Sequence, residues 1–189
     1  MKKCFLWTVF LVFMAGTAFA EPLASVTGIA KIKDGDTLLI GPVEVRFSGV
    51  DAPEHDQFCT QKQQDGSTKR VAAGVLATEF LKQLAEAKPV RCDIHDNKTS
   101  YNRVIGECFV GDVNLSQQMV RGGWGLAYVR FSSAYLAEEL AARQENLGIH
   151  RFKCLTPAYF RCRNYKNETA SFCRKLTKDD YHRESRINQ

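Results

Sequence analysis

The sequence predicts a single α+β domain of five short strands and about three helices, followed by a cysteine-containing C-terminal extension. Two kinds of pattern support this class. Short runs rich in β-branched residues, broken by turn residues, indicate strands, and longer stretches with apolar residues at helical spacing indicate helices. The chain length suits one domain with an added segment.

The first three strands are expected at residues 25–33, 36–40 and 43–50. Asp34-Gly35 and Gly41-Pro42 separate them, as tight turns separate the strands of an antiparallel meander. The polar stretch 55–69 that follows reads as a long exposed loop of the kind that borders a binding site.

One amphipathic helix is predicted over residues 70–87. Its apolar residues recur every four positions, and it should end before Pro89 because a proline disfavours helical backbone in the residue before it. Those apolar residues are Ala72, Leu76, Phe80 and Leu84. The helix should pack this face against the sheet.

A second hairpin is predicted from strands 90–95 and 104–110, turning near Thr99 and Ser100. In a symmetric hairpin around that turn, Cys92 lies opposite Cys108 at a spacing that a disulfide can close. We therefore predict a Cys92–Cys108 bridge.

Two more helices are expected, at residues 113–121 and 132–147. Ser132 or Ser133 is the predicted N-cap of the second helix, and Gly148 should lie just beyond its end. Beyond Pro157 the periodicity fades, so the extension is expected to depend on its three cysteines for order.

The N-terminus has the pattern of a secretory signal peptide over residues 1–20. Lys2 and Lys3 precede an apolar run, and Ala18-Phe19-Ala20 is typical of a cleavage site. The pattern predicts an exported, soluble protein with no membrane attachment after signal removal. We expect a domain over residues 21–150, an extension over 151–189, and a monomer.

Cys4 should leave with the signal, and six cysteines remain, an even number that favours disulfides in an oxidising compartment. Apart from Cys92 and Cys108, their pairing stays open at this point. If Cys59 bridges to one of the tail cysteines, it would fasten the predicted polar loop to the extension. The other four cysteines are Cys59, Cys154, Cys162 and Cys173.

Charge is divided unevenly along the chain. Residues 21–149 carry 14 Lys and Arg against 17 Asp and Glu, a balance of −3, whereas residues 150–189 carry 10 against 4, a balance of +6. A cationic tail suits a polyanionic partner such as a nucleic acid, although a solvated surface tail explains it equally well.

Acidic residues cluster where two of the predicted strands begin and end. Asp36 follows a tight turn, and Asp51 ends the third strand three residues before Glu54. Three carboxylates gathered there would suit Ca²⁺, which prefers hard oxygen ligands. Each piece alone also reads as an ordinary turn or loop start. Arg46 lies five residues before Asp51, so an ideal strand would place the two side chains on opposite faces unless a bulge or bend intervenes.

Several motifs, taken together and in order, resemble the staphylococcal nuclease (thermonuclease) family. The resemblance covers about residues 26–149. In its C-terminal half the motifs follow the family's order, from Asn114-Leu115 to Leu147-Gly148-Ile149. The N-terminal motifs are Lys33-Asp34-Gly35-Asp36-Thr37, Val45-Arg46-Phe47-Ser48-Gly49-Val50-Asp51-Ala52-Pro53-Glu54 and Tyr101-Asn102-Arg103.

The resemblance implies an OB-fold β-barrel of five strands and a set of site residues. Asp36, Asp51 and the carbonyl of Ala52 would bind Ca²⁺, with Asp34 in support. Ala52 stands where the family often has threonine, a change of little consequence for a ligand that binds through its backbone.

The resemblance also assigns the chemistry. Glu54 would orient or deprotonate the attacking water. Arg46 and Arg103 would clamp the phosphate, because bidentate guanidinium groups match its oxygens. Tyr101 and Tyr128 would border the nucleotide.

The function implied is a Ca²⁺-dependent nuclease that acts on DNA and RNA, cleaves the bond to the 5′ oxygen and leaves 3′-phosphates. A catalytically inactive nucleic-acid-binding OB module is the alternative. A third possibility is an interaction protein whose barrel binds another anionic ligand, since OB barrels also bind saccharides and proteins.

Overall fold

The computed structural model of the protein describes residues 22–95, 99–100, 103–165 and residue 173. The predicted signal peptide and Tyr101 lie outside these residues. The described strands are β1 (Ala24–Asp34), β2 (Thr37–Ile40), β3 (Val43–Phe47), β4 (Val50–Asp51), β5 (Phe58–Lys62), β6 (Thr68–Ala72), β7 (Pro89–Ile94), β8 (Thr99–Ser100), β9 (Arg103–Val110), β10 (Val113–Asn114) and β11 (Leu126–Ala127). The described helices are α1 (Ala73–Ala85), α2 (Leu115–Arg121), α3 (Leu136–Gln144) and α4 (Pro157–Asn164), with a 3-10 turn at Gly148–Arg151. In this part of the chain, no helix has both the length and the apolar character needed to cross a membrane.

Five of the strands close into a barrel. The meander β1–β2–β3 is antiparallel, and β1 also pairs with β7. Strand β9 completes the ring because it pairs parallel with β3 on one side and antiparallel with β7 on the other. This confirms the α+β class and the five-stranded OB-fold barrel.

The barrel interior is filled by apolar side chains from alternate strand positions. Leu38, Val45 and Val90 are completely buried, as the two-residue period of a half-buried strand requires. Helix α1 packs Ala77 and Leu81 onto the same core, and α2 adds further apolar residues. The barrel is therefore a packed scaffold, and the site residues lie at its edge.

The second hairpin has the predicted register. Cys92 of β7 is paired with Cys108 of β9, and the two are joined by a disulfide. The predicted turn position is wrong, because Thr99 and Ser100 form β8, which pairs back on the start of β9. The Cys92–Cys108 bridge forms although the turn lies elsewhere, because it depends only on the register of β7 and β9.

The polar stretch 55–69 is not a simple loop. Most of it forms the antiparallel hairpin of β5 and β6. The guanidinium of Arg70 lies over the Phe58 ring, 4.0 Å from its centroid, and Cys59 is buried in a disulfide. These contacts order a segment whose composition is typical of a loop.

The first predicted helix is shorter than expected, because the hairpin takes up its start: Arg70 belongs to β6 and α1 begins at Ala73.

Helix α3 also starts later than predicted. The residue before it is Tyr135, which makes no side-chain cap hydrogen bond, so the expected capping by Ser132 or Ser133 is wrong. The Ser132 hydroxyl instead accepts a hydrogen bond from the backbone N–H of Ala134. Gly148 does follow the helix, in the left-handed conformation with φ 52°.

The extension contains a helix that its faded periodicity did not indicate. Thr156 caps α4 by accepting a hydrogen bond from the Tyr159 N–H, and Pro157 occupies the first turn, where a proline costs no hydrogen bond. The described residues thus contain four α-helices where about three were expected.

Candidate active site

Asp36 is held at the edge of the barrel by the turn that precedes it. The backbone N–H of Asp36 donates to Oδ1 of Asp34 over 3.0 Å, which fixes the turn. Gly35 is needed there because a Cβ at this position would lie only 2.8 Å from the Cβ of Ala52. The turn can therefore pack directly on the segment that carries the next acidic residues.

Arg46 and Asp51 come into contact because the chain bends between them. Strand β3 ends at Phe47, Gly49 has a positive φ of 72°, and Asp51 belongs to the separate strand β4. Arg46 Nη1 lies 2.7 Å from Asp36 Oδ1, and Nη2 lies 3.0 Å from Asp51 Oδ1. The bend that an ideal strand would not have is thus present, and one guanidinium joins two carboxylates.

Asp36 makes two further contacts that hold its carboxylate in place. Its Oδ2 accepts from the Ala52 backbone N–H over 3.2 Å, and its Oδ1 accepts from the Thr37 hydroxyl over 3.0 Å. Asp36 and Asp51 are both buried. Their positions are therefore fixed by backbone and side-chain donors together, which is the preorganisation a reactive site requires.

Arg103 reaches the cluster through Thr37. Its Nη1 donates to the Thr37 hydroxyl over 2.9 Å, while its Nε donates to the carbonyl of Ser100 over 3.0 Å. Strand β9, which begins at Arg103, runs beside β3. The parallel pairing thus brings the second predicted arginine to the same end of the barrel as Arg46.

A third arginine, which the sequence did not indicate, lies in the site. Arg161 Nη1 is 2.8 Å from Asp51 Oδ1 and 2.7 Å from Glu54 Oε1, and its Nη2 is 3.2 Å from Asp51 Oδ2. It comes from α4 in the extension, a segment in which the sequence showed only a general excess of basic residues. Nothing in the local pattern distinguished this arginine from its basic neighbours.

The buried charged groups of the site shift one another's pKa values. Burial alone would lower the pKa of Arg46 and of Arg161, but the neighbouring carboxylates raise both above their usual value. Burial raises the pKa of Glu54, and the hydrogen bond from Arg161 offsets part of that rise. Burial, with the charge of Asp36 beside it, raises the pKa of Asp34 to about 6.

Tyr128 lies close to the acidic cluster. Its backbone N–H donates to the Gly49 carbonyl over 2.9 Å, which ties it to the bend before Asp51. Its ring meets the exposed ring of Phe131 edge-on, with the centroids 4.8 Å apart. Burial and the nearby charge of Asp51 raise the pKa of Tyr128. Of the two tyrosines expected to border a nucleotide, this one is described and is close to the acidic cluster.

The extension is fastened to the segment that follows Glu54. Cys154 forms a disulfide with Cys59, and Thr60 exchanges backbone hydrogen bonds with Lys153. A Cys59 bridge to the tail, left open by the sequence, is therefore present. The remaining bridge joins Cys162 to Cys173 within the extension.

The donor set suits a hard divalent cation. Asp36 and Asp51 offer carboxylate oxygens, and Ala52, which follows Asp51 in the chain, has a backbone carbonyl; oxygen ligands of these types are those that Ca²⁺ takes. Within the described segments, no group of three His, Cys, Asp or Glu side chains is arranged to hold a metal. A cation here would thus depend on two carboxylates and a carbonyl. A carboxylate has about four lone-pair sites, so hydrogen bonds from arginine do not exclude a metal on the same group.

Comparison with known proteins adds an independent observation. The model of the family described as Staphylococcal nuclease homologue matches residues 44–151, more than half of the chain. Similar curated proteins include an "Uncharacterized endonuclease" of Haemophilus influenzae, 26% identical over 155 residues, with 78% of each chain covered.

A "Probable endonuclease LCL3" of Komagataella phaffii is 30% identical over 137 residues, which cover 66% of this chain and 56% of that protein. The "Succinoglycan biosynthesis protein ExoI" of Rhizobium meliloti is 33% identical over 94 residues, which cover 49% of this chain and 45% of that protein. The chain therefore spans about half the length of these two relatives.

Proposed function

This chain belongs to the Staphylococcal nuclease homologue family, and from that premise we propose that it is an exported, Ca²⁺-dependent nuclease that hydrolyses the phosphodiester bonds of DNA and RNA. One observation carries the proposal. Asp36, Asp51 and Glu54 lie in one cluster linked by arginines, and Arg103 joins it through Thr37. Carboxylates beside guanidinium groups are the combination that hydrolysis of a phosphodiester needs.

Glu54 is the proposed general base. Its side chain is partly buried, and its pKa is raised by that burial, which makes it a better proton acceptor than an exposed carboxylate. It would orient the attacking water and take its proton as the bond to phosphorus forms. The bond between phosphorus and the 5′ oxygen then breaks, the 5′ oxygen takes up a proton from solvent and leaves as a hydroxyl, and the phosphate remains on the 3′ oxygen, the outcome implied by the family resemblance.

Arg46 and Arg103 are proposed to stabilise the transition state. Negative charge grows on the equatorial oxygens of the five-coordinate phosphorus, and guanidinium groups fixed nearby meet that charge without reorganising. Both arginines are already held by hydrogen bonds to Asp36 and Thr37 respectively. Tyr128, and by the same resemblance Tyr101, would contact the nucleotide next to the scissile bond.

Asp36, Asp51 and the Ala52 carbonyl would hold Ca²⁺, with Asp34 in support through its hydrogen bond to the Asp36 N–H. When bound, the cation would neutralise phosphate charge and favour ionisation of a water.

Export is proposed from two features. The N-terminal residues match a signal peptide, and the structure contains three disulfides, which persist in oxidising compartments. We propose that the mature protein, beginning near Glu21, acts as a monomer outside the cytoplasm. Detection of a chain starting near Glu21 in the periplasm or medium supports export, whereas a full-length cytoplasmic chain contradicts it.

A direct assay tests the catalytic proposal. Mature protein is incubated with plasmid DNA, single-stranded DNA and RNA, with Ca²⁺ or with a chelator, and the product ends are identified by their sensitivity to a 3′-phosphatase. Degradation that stops in chelator and yields 3′-phosphates supports the proposal. Binding without degradation would support the inactive OB module instead, and degradation unaffected by chelator would remove Ca²⁺ from it.

A further inference from the structure

We propose that Arg161 is a positioning residue of the active site, supplied by the C-terminal extension, which holds Glu54 and Asp51 at a fixed separation for the reaction. The inference rests on the proposed nuclease function and deepens it. Arg161 lies 107 and 110 positions after these two carboxylates, outside the residues 44–151 that match the family.

The contact geometry is that of a fork spanning two groups. Nη1 of Arg161 donates to both Asp51 Oδ1 and Glu54 Oε1, and Nη2 donates to the second oxygen of Asp51. A planar guanidinium can make these three hydrogen bonds at once, whereas a lysine ammonium is a single point charge. The contact therefore fixes both the distance and the orientation of one carboxylate relative to the other.

Glu54 has particular need of such a partner. It lies in the irregular segment between β4 and β5, so no strand ladder fixes its backbone on both sides. Its carboxylate contacts the same guanidinium as that of Asp51, so Arg161 is the cation that holds these two acidic groups side by side. Without a cation beside it, Glu54 would turn away from Asp51 towards solvent. A base that is displaced from its water by about 1 Å can lose on the order of 100-fold in rate.

The extension is built so that Arg161 is anchored on both sides. Before α4, Cys154 is bonded to Cys59, and the Gln57 side chain donates to the Leu155 carbonyl over 2.8 Å. After α4, the Tyr165 hydroxyl donates to the Asp56 carboxylate. Both anchors attach to the short segment that immediately follows Glu54.

Charge and burial support the same role. The Arg161 side chain is 11% exposed, although α4 as a whole is a surface helix with exposed residues such as Arg163. Burial of a long cationic side chain is costly unless it is paired, and Arg161 is paired with two carboxylates. A helix that merely covered the surface would not direct its arginine inward onto these groups.

Four variants of the full mature chain test the proposal. Arg161→Lys keeps the charge but replaces the planar two-nitrogen fork with a single ammonium nitrogen, and Arg161→Gln removes the charge. Arg163→Gln is the matched control, since it removes one exposed positive charge from the same helix. Glu54→Gln supplies the background for a double-mutant cycle. Each variant is assayed for kcat and KM on single-stranded DNA, and its thermal unfolding is recorded.

Arg161→Gln should lower kcat by about 100-fold and Arg161→Lys by about 10-fold, with KM changed by less than about threefold, because a misplaced base affects the reaction more than substrate binding. Arg163→Gln should leave kcat unchanged. In the Glu54→Gln background, Arg161→Gln should cost little more, since residues that act as a unit are not additive.

Other outcomes overturn the inference. Higher activity in Arg161→Gln would make the residue an inhibitory plug. A full, additive loss in the Glu54→Gln background would show that Arg161 acts on the substrate independently. Full activity in Arg161→Lys would show that only its charge matters. If Arg161→Gln does not fold, Arg161→Lys decides the question. An inactive wild-type chain would instead refute the nuclease proposal itself, and with it the catalytic role of Arg161. Coupling of Arg161 to Glu54 in thermal unfolding would still show that the contact between them exists.

Discussion

The guanidinium of Arg46 lies 2.7 Å from the carboxylate of Asp36, across the paired strands β2 and β3. Arg46 is directly opposite Thr37 in the register, so the contact is a diagonal one to the preceding residue. The same guanidinium reaches Asp51 beyond the bend at Gly49. Two buried carboxylates are thereby joined through one cation.

Replacing Arg46 with methionine should destabilise the protein, because it leaves two buried carboxylates without this cation. The expected loss is about 3–5 kcal/mol in the free energy of unfolding, measured by urea denaturation in chelator. Arg91→Met is the control, since its ion pair with Asp93 involves an arginine side chain that is 52% exposed and should be worth less than about 1 kcal/mol. Equal losses in the two variants would contradict the structural role of Arg46.

Arg103→Met should affect catalysis far more than stability. Its hydrogen bonds to Thr37 and Ser100 go to neutral oxygens, and its charge also favours the ionised form of Asp34, so its removal should cost less stability than removal of Arg46, which joins two buried carboxylates. If it meets charge that develops in the transition state, kcat should fall by about 100- to 1,000-fold. KM should change much less, and the urea midpoint should stay near that of the wild type. A rise in KM with kcat preserved would assign Arg103 to ground-state binding instead.

Glu54→Gln should lower kcat by about 100- to 10,000-fold, because the amide keeps the shape of the side chain but cannot accept a proton at neutral pH. Its carbonyl oxygen can still accept the hydrogen bond from Arg161, so binding of a short oligonucleotide should persist. Glu44→Gln, which alters a surface ion pair with Lys33, is the control and should keep full activity. Unchanged turnover in Glu54→Gln would remove Glu54 from the proposed mechanism.

Asp34 should make the metal-free protein less stable as the pH rises. Burial, with the charge of Asp36, raises the pKa of Asp34 to about 6 in the folded protein, against 3.8 for the unperturbed group. Between these two pH values the folded state binds more protons at Asp34 than the unfolded state does. Stability contributed by this group is therefore present at low pH and is lost as the pH increases towards 6.

The variant Asp34→Asn tests that expectation. Its side-chain oxygen can still accept from the Asp36 N–H, but the group does not ionise. Unfolding in chelator should show the variant gaining stability relative to the wild type from the lower to the higher of these two pH values, with a constant difference above them. A difference that is independent of pH would mean that Asp34 is not perturbed in this way.

The Cys92–Cys108 and Cys59–Cys154 disulfides should have separable effects. Removing Cys92–Cys108 by paired alanine substitution should cost about 3 kcal/mol of stability, because the bridge closes a loop with a sequence separation of 16. Activity per folded molecule should hardly change. Removing Cys59–Cys154 should lower kcat as well as stability, since that bridge anchors the extension beside Glu54. Identical activity losses for the two pairs would contradict this distinction.

The sequence predicted the barrel strands and the Cys92–Cys108 register well because both depend on local signals. A two-residue period and a turn residue such as Gly35 act over a few positions, and the cysteine register is correct although Thr99 and Ser100, the predicted turn of that hairpin, form β8. Ser132 does not cap α3 as predicted, because a serine hydroxyl can form hydrogen bonds in a local turn or at a helix cap equally well. Propensity alone does not decide between those two uses.

The site was predictable only in part, for a physical reason. Arg46 and Asp51 come together at a bend that strand periodicity does not reveal, and the family resemblance supplied their proximity. Arg161 approaches Asp51 from 110 positions further along the chain. Its placement results from a disulfide and from contacts of Leu155 and Tyr165, none of which leaves a periodic signal in the sequence.

The bridge between Cys59 and Cys154 also limits how this protein can be shortened. A recombinant fragment that stops at residue 151, where the family match ends, would look like a complete nuclease domain but would leave Cys59 with a free thiol in an otherwise apolar cluster. Such a fragment would be prone to dimerise through that thiol under air. Expression of this protein for biochemical work should therefore retain the chain through at least Cys173, in a host compartment that forms disulfides.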